Sequence, residues 1–414
     1  MKMSLNTPWR FSLISALEYV LMAFVIIYSS LWSLFASAGS NTFLRLGAPL
    51  LVILIALRAN ALSAQRMIRV ICLAAFLGIY LVATRFNSIR FILYFIIPMV
   101  LLCVYIGIMD DKEDIKGLFL KLSDIVFILS AISLFFFIFG TLLDLLPFRS
   151  TITYNWAGTN RETYTYLNLI YESQDVVFLG KEFTRNCGIF AEAPGFAVYL
   201  VVAIAAECLL RPKLRIVRCG ILCLAIITTF SAKAIILAIV AIGLKYLITS
   251  GSALLSPRTK LFMMPAVLAV AFAAIFIVFN DKAESYSYLM RVDDLQASMT
   301  VFGRNPIFGA GYVNDGAISD CFRLLTRPNN GLSMGVVLLL AQGGLWLTSL
   351  YVISSVLFIF RLKGQDRLSW LCFLGVFWGL LFITNMPYSF FTMLVLACTI
   401  EGGRAKKSEM ISEK

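Results

Sequence analysis

The 414-residue chain is 60% hydrophobic and only 14% charged, which excludes an ordinary soluble domain, because such a domain keeps about half of its residues polar. Its formal net charge is +12, and it contains no histidine. The absence of histidine excludes a His-based general base, a His-containing catalytic triad and a His-ligated zinc site.

Apolar stretches of about 20 residues, long enough to cross a bilayer as helices, recur along the whole chain. We predict an all-α polytopic membrane protein, forming a single integral membrane domain over residues 1–414 with about twelve spans. The first span is not followed by a small-residue cleavage site and is expected to be retained. The predicted spans are 13–36, 43–58, 67–84, 89–108, 118–146, 189–210, 214–230, 233–250, 260–279, 331–360, 368–384 and 386–401.

The basic residues are distributed unevenly between the two sides that these spans define. Most of the 35 Lys and Arg lie in short connections on one side, together with both termini. The positive-inside rule makes that side cytoplasmic. The net positive charge is therefore an orientation signal. The expected partner is the lipid bilayer, and no nucleic-acid partner is expected.

Two long segments, 147–188 and 280–330, face the opposite side in this scheme. Loops of this length are usually functional or disordered, and the many aromatic residues here favour ordered loops. In the second loop an apolar stripe recurs at helical spacing, which predicts an interfacial amphipathic helix followed by a turn at Asn305-Pro306 and a flexible Gly309–Gly311 segment. The stripe comprises Leu289, Val292, Leu295, Met299 and Phe302, and the opposite face carries Arg291, Asp294 and Ser298.

The stretch RNCGIFAEAPGFAVYL, residues 185–200, places charges at the mouth of a span. Pro194 suits the first helical position, and Glu192 precedes it, where the helix dipole favours an anion. An ionised Glu192 could accept a proton from a hydroxyl group, or the helix N-terminus and Arg185 could bind a phosphate. The structural alternative is a capping carboxylate paired with Arg185.

A second external corner, TTFSAK, places Lys233 at the membrane edge, where an ionisable residue is costly and is a functional candidate. Its alternative role is to extend to the lipid headgroups. Arg291 and Arg304 in the second loop complete a predicted ring of cations on the same side as Glu192. Each of these cations alone is typical of a solvated loop.

Of the nine cysteines, only Cys187 and Cys321 lie outside the predicted spans on the external side. A disulfide can persist on an oxidising side of a membrane, so a bond between these two is possible. The other cysteines are interpreted as small apolar packing residues.

Four stretches occur in an order that resembles the bacterial O-antigen polymerase (Wzy-type) and O-antigen ligase superfamily. They are RNCGIFAEAPGFAVYL, TTFSAKAIIL, FGRNPIFGAGY and NNGLSMGVVLLLAQGGLW, within roughly residues 150–350. The resemblance implies a GT-C-like membrane glycosyltransferase fold with large external loops. It also implies an enzyme that needs no metal or other cofactor and takes an undecaprenyl-pyrophosphate-linked glycan as donor.

The same resemblance assigns roles to individual residues. Arg185 and Arg291 match arginines placed around the donor pyrophosphate, and Lys233 stands where many members carry arginine. Glu192 matches the acidic position that is implied to be the catalytic base. The remaining expected pyrophosphate or glycan contacts, all within the later motifs, are Arg304, Tyr312 and Asn329.

One stretch of this chain departs from the pattern of the superfamily, and the departure bears on which reaction is expected. Ligases carry a histidine before the tenth span, where this chain has Pro328-Asn329-Asn330. The resemblance therefore implies a polymerase in the bacterial inner membrane, joining lipid-linked oligosaccharide units at the periplasmic face. A chain-length regulator and a flippase are further candidate partners. The alternatives are a ligase that transfers polymer to lipid A-core, and a lipid-linked oligosaccharide or ion-coupled transporter.

Overall fold

The computed structural model describes residues 8–29, 46–58, 64–109, 112–147, 149–156, 159–178, 181–248, 286–324 and 332–402. Within these residues the chain is mostly helical, with thirteen helices and five short β-strands. One large cluster of buried apolar side chains draws on helices from α1 to α13. The cluster holds the described helices together as one bundle.

The helices in chain order are α1 (Pro8–Ser29), α2 (Ala48–Arg58), α3 (Ala64–Thr84), α4 (Ser88–Ile108), α5 (Lys112–Phe136), α6 (Ala193–Ala205), α7 (Ile216–Thr228), α8 (Ala232–Ile248), α9 (Tyr286–Arg304), α10 (Asp315–Ser319), α11 (Gly335–Arg361), α12 (Gly364–Ile383) and α13 (Phe390–Glu401). Helices α5 and α6 each continue as a π-helical turn, over Phe137–Leu142 and Ala206–Leu210.

Six described helices are long and apolar enough to cross a membrane: α3, α4, α5, α6, α11 and α12. They coincide with six of the predicted spans, and the architecture is that of a polytopic membrane protein. Five further spans correspond to α1, α2, α7, α8 and α13. Helices α2, α7 and α13 have only 11 to 13 residues. The predicted span 260–279 lies outside the described residues.

The prediction of an all-α protein is wrong for the first long loop, which forms β-hairpins. Strands β1 (Arg149–Trp156), β2 (Thr159–Tyr166) and β3 (Ile170–Glu172) make an antiparallel sheet, and β4 (Asp175–Phe178) pairs with β5 (Lys181–Thr184). Threonine and aromatic residues are dense in β1 and β2, and these residue types fit a pleated surface. We call the end of the bundle that carries these hairpins the loop end.

Helix α6 lies at the centre of the bundle. It packs against α5, α7, α8 and α12, and nearly all of its residues are buried. Its first turn is at the loop end, because the hairpins lead directly into it. The N-terminus of α6 is therefore surrounded by protein at the point where the loops converge.

Helix α11 is broken at Gly344, whose backbone angles are φ 60° and ψ −165°. The segment after α9 fills the break with four backbone hydrogen bonds: Ala310 N–Ala341 O, Gly311 N–Gln342 O, Leu345 N–Pro306 O and Trp346 N–Ile307 O, at 2.8 to 3.0 Å. Within a membrane protein such backbone groups must find partners inside the protein. The motifs FGRNPIFGAGY and AQGGLW are thus two halves of one joint.

The predicted amphipathic helix of the second loop is present as α9. Leu289, Leu295 and Met299 of the predicted apolar stripe are exposed, whereas Ala297 and Val301 are buried where α9 packs on α11. Its outward face carries Arg291 as well as these apolar residues, and Asp294 and Ser298 of the predicted polar face are buried, so the predicted division into an apolar and a polar face is wrong.

Buried carboxylates lie towards the other end of the bundle, and each is paired with cations. Glu18 of α1 accepts hydrogen bonds from Arg58, Tyr105 and Lys121, which come from three other helices. Glu207 pairs with Arg211 at 2.8 Å, and Glu401 pairs with Arg69 at 2.6 Å. The Glu18 and Glu401 pairs join helices that are distant in sequence, whereas Glu207 and Arg211 are four residues apart at the end of α6. Pairing is the usual way in which buried charges are tolerated.

Candidate functional site

The segment from Arg185 to Ala193 is fastened to the loop end before α6 begins. The Asn186 backbone N–H donates to Thr228 O at 2.9 Å, and its amide Nδ2 donates to Thr228 Oγ1 at 3.0 Å. Ser173 Oγ donates to Ala191 O at 2.5 Å, and Tyr171 N donates to Gly188 O. The charges of this segment therefore occupy fixed positions.

Within the residues that the structure describes, the Arg185 guanidinium has two hydrogen-bond acceptors, and both are uncharged. Its Nε donates to Thr229 O at 2.8 Å, and its Nη1 donates to Gln174 Oε1 at 3.3 Å. Burial lowers the pKa of Arg185 below the usual arginine value, while attraction by Glu192 opposes that shift. The side chain therefore presents a partly desolvated positive charge beside the N-terminus of α6, a favourable setting for an anion.

Glu192 is the N-cap residue of α6, with extended backbone angles of φ −138° and ψ 135°. Its carbonyl accepts the first helical hydrogen bonds, from Gly195 and Phe196. Its carboxylate makes no capping hydrogen bond. Ala193 is the first helical residue, so Pro194 is the second and not the first, as the sequence had suggested. The cap position of Glu192 is confirmed, but its side chain does not perform the capping.

Lys233 lies in the first turn of α8, and its Nζ donates to Ile383 O at 3.0 Å. A lysine that donates to the last carbonyls of a helix stabilises the C-terminus of that helix, here α12. Lys233 also lines a narrow crevice with Pro194, Ser231 and Thr384. The structure thus brings Lys233 to the first turn of α6, close to the segment that carries Arg185 and Glu192.

Two of the predicted cations stand apart from this group. Arg291 and Arg304 are exposed on α9, and among the described residues neither guanidinium has a hydrogen-bond or ion-pair partner. In the described part of the chain, no hydrogen bond or ion pair joins them to Arg185. Asn329, the remaining predicted ligand in the second loop, lies outside the described residues.

Tyr312 is buried and packs within an aromatic cluster. Its ring centroid lies 5.1 Å from that of Phe91, 6.1 Å from Phe95 and 4.9 Å from Tyr388, and only 5% of the residue is exposed. Its carbonyl accepts a hydrogen bond from Asn87 Nδ2 at 3.1 Å. In this arrangement Tyr312 joins α4 to the turn before α13, and its ring offers no open face for a glycan.

The acidic residues of the second loop have distinct roles. The Asp293 carboxylate accepts a hydrogen bond from the Arg323 backbone N–H. The Asp294 carboxylate accepts hydrogen bonds from the backbone N–H and the hydroxyl of Ser333, so both carboxylates hold the loop in place. Asp315 accepts from Gln342 Nε2 at 2.8 Å, and burial raises the pKa of Asp315. Gln342 itself is fully buried beside the break in α11. A buried carboxyl group with a raised pKa is typical of functional sites.

Cys187 and Cys321 are both free thiols. Cys187 is fully buried against Tyr171 and Ala193, and burial raises the pKa of its thiol. Cys321 lies in a separate cluster with Val301. No disulfide joins the two loops in this structure.

Gln174 was not identified from the sequence, yet it touches both main elements of the site. Its Oε1 accepts from Arg185 Nη1 and from the Ala193 N–H, each at 3.3 Å. No sequence motif marks Gln174, because it lies in the hairpin region outside all four matched stretches. Only the pairing of β4 with β5 places it opposite Arg185.

No family model, no curated protein and no solved structure matches this chain. Function is therefore inferred from the residues and their geometry.

Proposed function

We propose that this chain polymerises undecaprenyl-pyrophosphate-linked oligosaccharide repeat units into O-antigen or a related surface polysaccharide. The reaction is a metal-independent, inverting glycosyl transfer at the periplasmic face of a bacterial inner membrane, with a GT-C-like fold. Support comes from the ordered motifs within roughly residues 150–350 and from the residues gathered at the N-terminus of α6.

The observation that carries this proposal is the Arg185 guanidinium, held by two neutral oxygen atoms next to a helix N-terminus. The Glu192 carboxylate attracts this cation, but the two hydrogen-bond acceptors themselves add no opposing charge, so Arg185 keeps positive charge for an anion. Guanidinium groups and helix N-termini both bind phosphate oxygens well. A pyrophosphate leaving group supplies such an anion.

The proposed reaction follows from the placement of charge. The acceptor hydroxyl oxygen attacks the anomeric carbon of the donor sugar, and the bond from that carbon to the pyrophosphate oxygen breaks. The electron pair of that bond goes to the pyrophosphate, whose developing charge Arg185 and Lys233 stabilise. Glu192 takes the proton of the acceptor hydroxyl. Attack from the face opposite the leaving group inverts the anomeric carbon.

A transporter is the second candidate, and one observation favours it. Transporters often contain broken helices, and α11 is broken at Gly344. Here the second loop fills the break with four backbone hydrogen bonds, and the buried carboxylates Glu18, Glu207 and Glu401 are paired with cations. The filled break favours a fixed structural joint, and the pairing of the carboxylates argues against an open ion site.

The direct test is polymer formation by purified protein supplied with lipid-linked repeat units in the presence of a chelator. Glu192→Gln is expected to keep the fold and to lower turnover by about 10²–10⁴-fold, because an amide cannot take the proton. Arg185→Ala is expected to abolish polymerisation. Arg90→Ala, which removes an exposed arginine near the loop end, serves as the matched control and is expected to retain activity.

Near-normal turnover of Glu192→Gln in this assay removes Glu192 from the mechanism and leaves Asp315 as the next candidate base. Full activity of Arg185→Ala contradicts the pyrophosphate site itself. A catalytic requirement for a divalent metal contradicts the metal-independent reaction.

Deletion of the gene separates the three candidate activities in cells. Loss of a polymerase leaves a single capped repeat unit and removes the polymer ladder on a gel. Loss of a ligase removes both species, and loss of a transporter traps lipid-linked units inside. Reporters fused at residues 160 and 310 are expected to show a periplasmic location, and cytoplasmic activity at either position contradicts the proposed orientation.

A further inference from the structure

The backbone pairing of the second hairpin places Gln174 opposite Arg185. Strands β4 and β5 are antiparallel, and their last ladder pair is Asp175 with Thr184. One residue further on, the Arg185 N–H donates to Gln174 O at 2.9 Å. The pairing therefore continues beyond the strands, and the relative position of the two residues is set by strand register.

The Gln174 side chain then joins two elements. Its Oε1 accepts from Arg185 Nη1 and from the N–H of Ala193, each at 3.3 Å. Ala193 is the first residue of α6 and follows Glu192 directly. One neutral oxygen atom thus links the half-buried guanidinium to the helix N-terminus.

The acceptor atom, Gln174 Oε1, belongs to a neutral amide, which affects how Arg185 can bind an anion. A carboxylate at the same position would accept both hydrogen bonds, but it would also neutralise Arg185 and repel an incoming anion. An amide oxygen orients the guanidinium and leaves its positive charge in place. Thr229 O, the second acceptor of Arg185, is also uncharged.

We propose that Gln174 is a positioning residue that aims Arg185 at the pyrophosphate of the lipid-linked donor without cancelling its charge. This inference rests on the proposed function, because it requires an anionic donor. Gln174 itself takes no part in bond breaking.

The experiment measures binding of undecaprenyl pyrophosphate to the purified protein in detergent, together with KM and kcat for polymerisation. Gln174→Glu keeps the side-chain length and both hydrogen bonds, so its thermal unfolding midpoint is expected to be at least as high as that of the unmodified protein. Its affinity for the lipid is expected to fall by about tenfold or more, with a higher KM for the donor and a smaller change in kcat. Gln296→Glu, on the exposed face of α9, introduces the same charge and is expected to leave affinity and KM unchanged.

Gln174→Met provides a second variant of similar length, which has no charge and replaces the amide oxygen with a weakly accepting sulfur. Its affinity is also expected to fall, because the guanidinium loses an orienting partner. If Gln174→Glu or Gln174→Met is folded and binds the lipid as the unmodified protein does, the inference is overturned. If Arg185→Ala binds the lipid normally, or the unmodified protein does not bind it, the proposed function fails instead.

Discussion

Replacing Gly344 with alanine tests the joint between the second loop and α11. Gly344 adopts φ 60° and ψ −165°, a region that is essentially restricted to glycine. A Cβ atom on Gly344 would lie 2.3 Å from Ile307 O and 2.5 Å from Gly309 N. Because both of those atoms belong to the backbone, no side-chain rotation relieves the contact.

The loss in free energy of unfolding caused by Gly344→Ala follows from the two ways in which the protein can respond. If the break keeps its shape, the backbone strain costs about 1–3 kcal/mol, and the close contact adds to it. If the loop withdraws, four backbone hydrogen bonds are lost, at about 0.5–1.5 kcal/mol each. Either response destabilises the protein by about 2 kcal/mol or more.

Thermal unfolding in detergent and limited proteolysis of the segment around Gly309 measure this effect. Gly344→Ala is expected to lower the unfolding midpoint and to expose the segment to protease. Gly303→Ala is the matched control, because Gly303 lies within α9 and a Cβ atom there meets nothing within 4 Å. The control is expected to be neutral or slightly stabilising. If Gly344→Ala and Gly303→Ala have equal unfolding midpoints and equal protease resistance, the second loop is not held by the break in α11.

Three further predictions concern single side chains. Glu18→Gln is expected to lower the free energy of unfolding by about 3–5 kcal/mol, because Arg58 and Lys121 lose their buried partner. The control is Asp144→Asn, at a carboxylate that is 80% exposed, and it is expected to cost less than about 1 kcal/mol in the same unfolding assay. Lys233→Arg is expected to retain more polymer on a gel than Lys233→Ala, since it keeps the charge, and equal loss in both contradicts a charge-based role. Denatured, non-reduced protein is expected to react with maleimide at both Cys187 and Cys321, and a cross-linked peptide in mass spectrometry contradicts this.

Much of the helical framework could be predicted from the sequence, because an apolar stretch of the right length has few alternatives in a bilayer. Six predicted spans coincide with helices that are long enough to cross. The helix over Tyr286–Arg304 was also predictable, since its apolar residues repeat at helical spacing. The strands of the first loop were missed, although threonine and aromatic residues in β1 and β2 favour extended structure.

The candidate site was only partly predictable, since its residues come from segments that are distant in the chain. The sequence alone determined that a charged stretch precedes an apolar helix, and that Glu192 therefore lies at a helix N-terminus. Only the tertiary structure decided the partners of those charges. Strand pairing brought Gln174 to Arg185, and helix packing directed Lys233 to the end of α12. Local pattern specifies secondary structure, whereas the partner of a side chain depends on how distant elements pack.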